Sequence, residues 1–291
     1  MIRESDMKAL SWKKFASGRG FSLIEIAVVL VILSFLLATI AVPITAQLNQ
    51  RRVSETQRLL DLAQQALVGY ASANGRLPCP ATDGVTIGAV NSLGDERFAS
   101  AADNAATGKC EYWAGYLPAV ALGLSPVDSE GFMIDAWGLR QNRIRYAVWG
   151  SNVVSVGPGP VLYPFTKTDG MKAATSTSLA DVNTKFIFVC QSAPTGALPT
   201  AASAAVTNAC GAGVVKLTDK TPAVIYSLGA NAATGGTGTD EVFNVKTTAT
   251  QTYAFVSHLP TAGPTNEFDD IVNWLSLNVL LNSMQTAGKL P

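Results

Sequence analysis

One junction constrains this chain more than any other feature. Gly18-Arg19-Gly20-Phe21-Ser22-Leu23-Ile24-Glu25 runs straight into the apolar stretch Ile26–Val42. Counted from Phe21, the stretch is close to the ~20 residues that cross a bilayer as a helix. Residues 1–20 carry a net charge of +3, and the rest of the chain carries −3. Positive charge ahead of an apolar segment keeps the N-terminus on the cytoplasmic side. A secretory signal peptide would be cut beyond the apolar run at small residues, but Ile44-Thr45-Ala46 suits that cut poorly. A plain signal anchor has no use for Glu25. An acid inside a membrane helix costs ~2.5–3.5 kcal/mol at the centre, less near the end, and usually marks function. A helix that later docks beside copies of itself has a reason to keep one.

Gly20-Phe21-Ser22-Leu23-Ile24-Glu25 resembles the cleavage and methylation motif of type IV pilins and type II secretion pseudopilins. The resemblance implies a membrane peptidase that cuts between Gly20 and Phe21 and methylates the new amine of Phe21. Gly20, with no side chain, lets the backbone enter that peptidase. Glu25 then becomes the fifth residue of the mature chain and neutralises the Phe21 amine of a neighbouring subunit. Each of these charges is costly alone and tolerated when paired, and methylation leaves the amine positive. The implied partners are prepilin peptidase, other pilins or pseudopilins, and the inner membrane. The implied placement is a single-pass protein with a cytoplasmic N-terminus and a periplasmic head, carried to a cell-surface filament after assembly.

Beyond the apolar run, Pro43 removes a helical hydrogen bond, and the helix should resume near Ile44. Leu59, Leu60, Ala63, Ala66, Leu67 and Tyr70 recur at three- and four-residue spacing and form one apolar stripe. Arg51, Arg52, Glu55, Arg58 and Asp61 fall mostly outside it. The helix should end at Asn74-Gly75, ahead of Pro78 and Pro80. The domains expected are a removed leader, 1–20; a membrane and filament-core helix, 21–43; an amphipathic stalk, 44–74; and a globular head, 75–291. The fold expected is α+β, and the resemblance implies a pilin-like ladle: a long N-terminal helix packed on an antiparallel sheet.

Within the head, Leu77-Pro78-Cys79-Pro80 resembles the turn that follows the first helix in a subgroup of large minor-pilin-like proteins. Asp135-Ala136-Trp137-Gly138 is similar to the Asp-Pro-Trp-Gly turn of pseudopilins, with Ala136 in the proline's place. Asp135 and Trp137 read as structural, an aspartate turn and a core aromatic. Strands are expected at Ile144–Trp149, Lys185–Cys190, Val214–Leu217, Ala223–Leu228 and Thr252–Ser257. Ala193–Gly213 and Gly229–Thr239 read as surface loops. The tail reads either as a strand in Phe268–Leu275 followed by a helix over Ser276–Ala287, or as one helix from about Asn266.

Cys79, Cys110, Cys190 and Cys210 form no C-x-x-C pair, and His258 is the sole histidine, so zinc is disfavoured. Export favours disulfides. Of the three pairings, Cys79–Cys110 with Cys190–Cys210 is preferred, because each pair brackets a loop-like stretch; four free thiols are the alternative. Asp240, Glu241, Asp269 and Asp270 are weak calcium candidates, since a calcium ion sits in the C-terminal loop of the major pseudopilins that the chain resembles. No EF-hand spacing is present, and no cofactor is expected. His258 has no evident acid partner, so a catalytic triad has little support. The acidic body gives no electrostatic case for nucleic acid. The expected role is structural and not enzymatic: a processed minor pilin or pseudopilin. A filament-borne adhesin or DNA-binding minor pilin is the alternative, followed by a membrane-anchored periplasmic enzyme.

Overall fold

A computed structural model describes residues 22–84, 93–149, 164–177, 187–194, 209–246, 253–263 and 266–291, without the side chains of 37–46 and 174–177. The leader, Gly20 and Phe21 lie outside the described residues. The chain divides into two compact units, Met1–Asn49 and Gln50–Pro291.

Helix α1 spans Leu23–Asn74. The interruption expected at Pro43 does not divide it, since a proline removes one N–H donor while the turns on either side keep theirs. Ser22 starts the helix by accepting from the backbone N–H groups of Glu25 (3.0 Å) and Ile26 (3.1 Å). Gly75 stops it at φ +73°, the left-handed turn that glycine adopts without Cβ strain, and its N–H caps Ala71 O at 2.8 Å.

In the second unit, β1 (Ala114–Tyr116), β2 (Arg145–Val148), β5 (Ala223–Ser227) and β7 (Ile271–Trp274) form an antiparallel sheet in the order β1-β2-β5-β7. Side chains alternate faces along a strand, and both faces of this sheet are buried. Tyr146, Val148, Ala223 and Ile225 face α1, where they meet Leu60, Ala63, Leu67 and Ala71. Ala147, Val224 and Tyr226 face the opposite way and meet Ile187, Val189 and Phe255 of a second sheet. This double coverage explains why β5 is apolar at almost every position. The stripe on α1 matches the expected one, with Ala66 and Tyr70 only half-buried.

The second sheet has the order β4-β3-β6, built from β3 (Ile187–Cys190), β4 (Lys216–Thr221) and β6 (Ala254–Val256). Here the expected antiparallel arrangement needs correction. β3 pairs antiparallel with β4 but parallel with β6, Phe188 opposite Ala254. The chain passes through β4, β5 and helix α3 (Thr239–Asn244) between the two strands, which is ample length for a parallel return.

β1, helix α2 (Gly170–Thr177) and α3 had no counterpart in the sequence reading. β4 begins two residues later than expected and runs to Thr221. At the C-terminus, β7 followed by helix α4 (Leu277–Thr286) decides for strand plus helix. Leu280 and Met284 of α4 join the core beside α1, and Ser72 and Ser283 hydroxyls meet at 2.9 Å. The disulfides are Cys79–Cys110 and Cys190–Cys210, and no free cysteine remains among the described residues.

Candidate functional site

Glu25 lies in the first turn of α1, where a carboxylate complements the exposed N–H groups of a helix start. The side chains around it are apolar on every face and exposed: Leu23 is 88% exposed and Phe35 70%, and Ile26, near the lower end, is still 47%. A helix apolar all round needs a covering partner, either lipid or other helices. Among the described residues no helix is long and apolar enough to cross a membrane. The described side chains of this run end at Leu36, and at ~1.5 Å per residue they fall short of a ~30 Å hydrocarbon layer.

The Asp-Ala-Trp-Gly turn is closed by one hydrogen bond of its own and tied in at three points. Asp135 is buried. Its Oδ1 accepts from Trp137 N (2.9 Å), and its Oδ2 accepts from Asn142 Nδ2 (3.1 Å) and Ser227 Oγ (2.5 Å). Ala136 N–H donates to Thr56 Oγ1 on α1 at 3.2 Å. Burial raises the Asp135 carboxyl above the usual aspartate range, against the lowering effect of the Ser227, Trp137 and Asn142 hydrogen bonds. These contacts make the turn a joint between helix and sheet.

A second joint was invisible in the sequence. Arg76 holds Glu96 with both terminal nitrogens, at 2.7 and 2.6 Å, and also donates to Tyr70 Oη at 2.8 Å. Cys79 N donates to Glu96 Oε2 at 3.2 Å. The ion pair therefore fixes the exit of α1 against the segment that carries the first disulfide. Such a long-range pairing of an arginine with a glutamate has no periodic or motif signal.

Three of the four acidic candidates converge. One carboxylate oxygen from each of Glu241, Asp269 and Asp270 lies within 4.8 Å of the others, an arrangement that can hold a divalent cation. Asp240 does not join them, because neighbouring residues on a helix point ~100° apart. The cluster is held by amide donors from three neighbouring residues and from Asp269 itself. Asn231 Nδ2 reaches both oxygens of Glu241, Asp269 N–H reaches Glu241 Oε1 (2.8 Å), Ala230 N–H reaches Asp269 Oδ2 (2.8 Å), and Asn244 Nδ2 reaches Asp270 Oδ2 (2.8 Å). Burial, with the charges of Glu241 and Glu267 adding to it, pushes the Asp269 carboxyl up to about 6 against the Ala230 N–H bond. Burial likewise drives Asp270 well above its usual range. Gly229 packs so closely here, at φ +65°, that a Cβ would strike Asp269 Oδ1.

His258 does have an acid partner, contrary to expectation. Its Nε2 lies 3.2 Å from Asp240 Oδ2 and its Nδ1 lies 2.7 Å from Leu259 O, while its ring stacks on Phe268 with centroids 3.9 Å apart. Both ring nitrogens face oxygens that only accept, which leaves neither free to take a proton from a hydroxyl nucleophile. Lys246 is buried over the Phe243 and Phe255 rings with Nζ bonded to Phe243 O at 2.7 Å, and burial pushes its amine down to about 7.

Residues 17–41 match the prokaryotic N-terminal methylation motif, the signature of type IV pilin and pseudopilin precursors. That motif indicates a prepilin-type precursor. No curated protein and no solved structure matches it.

Proposed function

We propose that this precursor matures into a minor pilin or pseudopilin. Prepilin peptidase cuts between Gly20 and Phe21 and methylates the Phe21 amine. The mature subunit then enters a type IV pilus or a type II secretion pseudopilus as a structural component. The observation that carries this reading is the methylation motif at 17–41, in register with a helix that starts at Leu23 and keeps an acid in its first turn.

Before assembly the apolar half of α1 sits in the inner membrane, N-terminus inside as the +3 leader requires, and the head faces the periplasm. On assembly the exposed apolar side chains of 23–36 pass from lipid to the apolar helices of neighbouring subunits. Glu25 of one subunit meets the Phe21 ammonium of the next. A subunit with a head as large as 75–291 suits a low-copy position, because repeating that bulk at every step crowds a filament. The proposed work of the protein is structural, and it needs no cofactor; the converging Glu241, Asp269 and Asp270 offer a calcium ion a place that would brace the head.

The test is Gly20→Ala. The expected result is an uncleaved precursor, longer than the mature chain by the leader of residues 1–20. Normal processing of that variant overturns the peptidase assignment.

A further inference from the structure

We infer that Ser22 is a positioning residue for removal of the leader: as the N-cap of α1 it stops the helix at Leu23 and so keeps the Gly20 carbonyl free for the peptidase. The inference rests on the processing reading above and adds the residue that makes the cut accessible.

α1 begins at Leu23, and Ser22 stands just ahead of it, exposed. The Ser22 carbonyl accepts from the N–H groups of Glu25 (3.0 Å) and Ile26 (3.1 Å). That makes Ser22 the N-cap, the residue whose carbonyl takes the first helical bond. Glu25 is then third in the helix and Ile26 fourth. Serine at the cap with glutamate third is the spacing of a capping box. In it the hydroxyl accepts from a first-turn N–H, and the carboxylate accepts from the N–H of the cap residue. An apolar residue ahead of the cap and another at the fourth position staple the entering chain, and Phe21 and Ile26 hold those places in the sequence. Among the described residues, neither the Ser22 hydroxyl nor the Glu25 carboxylate is committed elsewhere. The methylation motif, matched over 17–41, independently marks this boundary as one where an enzyme acts.

A helix that starts at Leu23 leaves the Leu23 and Ile24 N–H groups without a helical acceptor, and at the edge of a bilayer unpaired donors are costly. Two remedies compete for Ile24. If the helix ran on into the leader, Ile24 N–H would bond the carbonyl four residues back, which is that of Gly20, the carbonyl to be cut. If Ser22 caps the helix, its hydroxyl takes the same donor and the Gly20 carbonyl stays free. Gly18 and Gly20 weigh against the first remedy, since glycine resists helix more than any residue but proline. With the carbonyl free, water adds to it and the Gly20–Phe21 bond breaks, leaving a carboxylate on Gly20 and an ammonium on Phe21. Glu25 has a second part here, because Ser22 N–H gives its carboxylate a partner before the Phe21 amine exists. Its loss leaves the hydroxyl on Ile24, so the boundary stays with Ser22.

The test uses the full precursor in detergent micelles with purified prepilin peptidase, and initial cleavage rates are measured against precursor concentration. Ser22→Ala removes the hydroxyl, and Ser22→Thr restores one. The expected result is a KM about fivefold higher for Ser22→Ala at unchanged kcat, because losing a cap lowers only the fraction of precursor that offers a free Gly20 carbonyl. Ser22→Thr should return KM to the wild-type value. Without peptidase, the ¹³C shifts of Gly20 and Phe21 should move toward helical values in the alanine variant alone. An unchanged KM in Ser22→Ala overturns the inference. So does a raised KM with the helix still starting at Leu23, or a lowered kcat at constant KM, since either would make Ser22 a contact of the enzyme and not the stop of the helix. A wild-type precursor that the peptidase leaves uncut would overturn the processing reading itself, and this inference with it.

Discussion

Ala136 gives its backbone N–H to the Thr56 hydroxyl at 3.2 Å, joining the turn ahead of β2 to the packed half of α1. The bond exists because alanine stands where the resembling turns carry proline, which has no N–H. The donor that alanine retains is spent on the helix. Thr56 is fully buried. Thr56→Val keeps the shape and strands the Ala136 donor, at a cost of about 1–3 kcal/mol. Thr56→Ser should recover most of that. Thermal unfolding of the three chains checks the ordering, and equal midpoints for valine and threonine would remove the joint.

Arg76 and Glu96 make a different kind of prediction. Arg76 has 6% of its side chain exposed and Glu96 13%, so neither charge has much water to fall back on. Glu96→Gln should cost about 3–5 kcal/mol, because it leaves the guanidinium buried without a counter-charge. Replacing both, Arg76→Met with Glu96→Leu, should cost less than the single change. Denaturant unfolding of the single and double variants measures the coupling. A double variant weaker than the single one would mean that the pair contributes mainly through its bonds to Tyr70 and Cys79.

Periodic and strongly local features were readable in advance. The stripe on α1, the Gly75 stop, β2, β3, β5 and β6 all follow from spacing or terminal residues, whereas at the C-terminus only the fold decides for a strand followed by a helix. What escaped has a common physical cause. β1 is a three-residue strand, too short to show alternation. α3 lies in a glycine-rich stretch whose composition reads as loop, and it is held by its carboxylates rather than by an apolar stripe. The parallel return of β6 beside β3 leaves no local mark, since the pairing is decided by packing against Val224 and Tyr226. The sites divide the same way. Glu25 takes its proposed role from its neighbours in sequence alone. The partners of His258, Arg76 and Asp269 are set by tertiary contacts across many residues.

Asp269 predicts how the head responds to acid. Its carboxyl titrates at about 6 in the fold, against 3.8 as the ordinary value. Between those values the folded chain holds the proton more tightly than the unfolded chain does. Its contribution is fully present below pH 3.8 and is lost as pH rises through about 6. With allowance for its partial exposure, the loss is on the order of 1 kcal/mol. Asp270, also raised, acts in the same direction. Unfolding midpoints should therefore fall from pH 4.5 to pH 7 where these groups dominate. Asp269→Asn should flatten that slope while keeping an acceptor for Ala230 N–H. A slope unchanged in the variant would assign the effect to other carboxylates.

Glu25 makes the strongest demand on the assembly reading, because its proposed partner exists only after cleavage. In the precursor Phe21 is an amide within the chain; once cut, it is an ammonium at the end of an apolar helix. Packed among other helices without a counter-charge, that ammonium carries a penalty of several kcal/mol. Glu25→Ala should leave cleavage intact, since the cut lies between Gly20 and Phe21. It should lower the amount recovered in sheared filaments at least tenfold, as a penalty above ~1.4 kcal/mol requires. Glu25→Gln should fail equally, because an uncharged amide cannot neutralise the amine, and Glu25→Asp should recover part of the loss. Immunoblots of whole cells report processing, and the sheared fraction reports incorporation. Incorporation of Glu25→Ala at the wild-type level would show that the pairing of these charges does not drive assembly, whatever the fate of the leader.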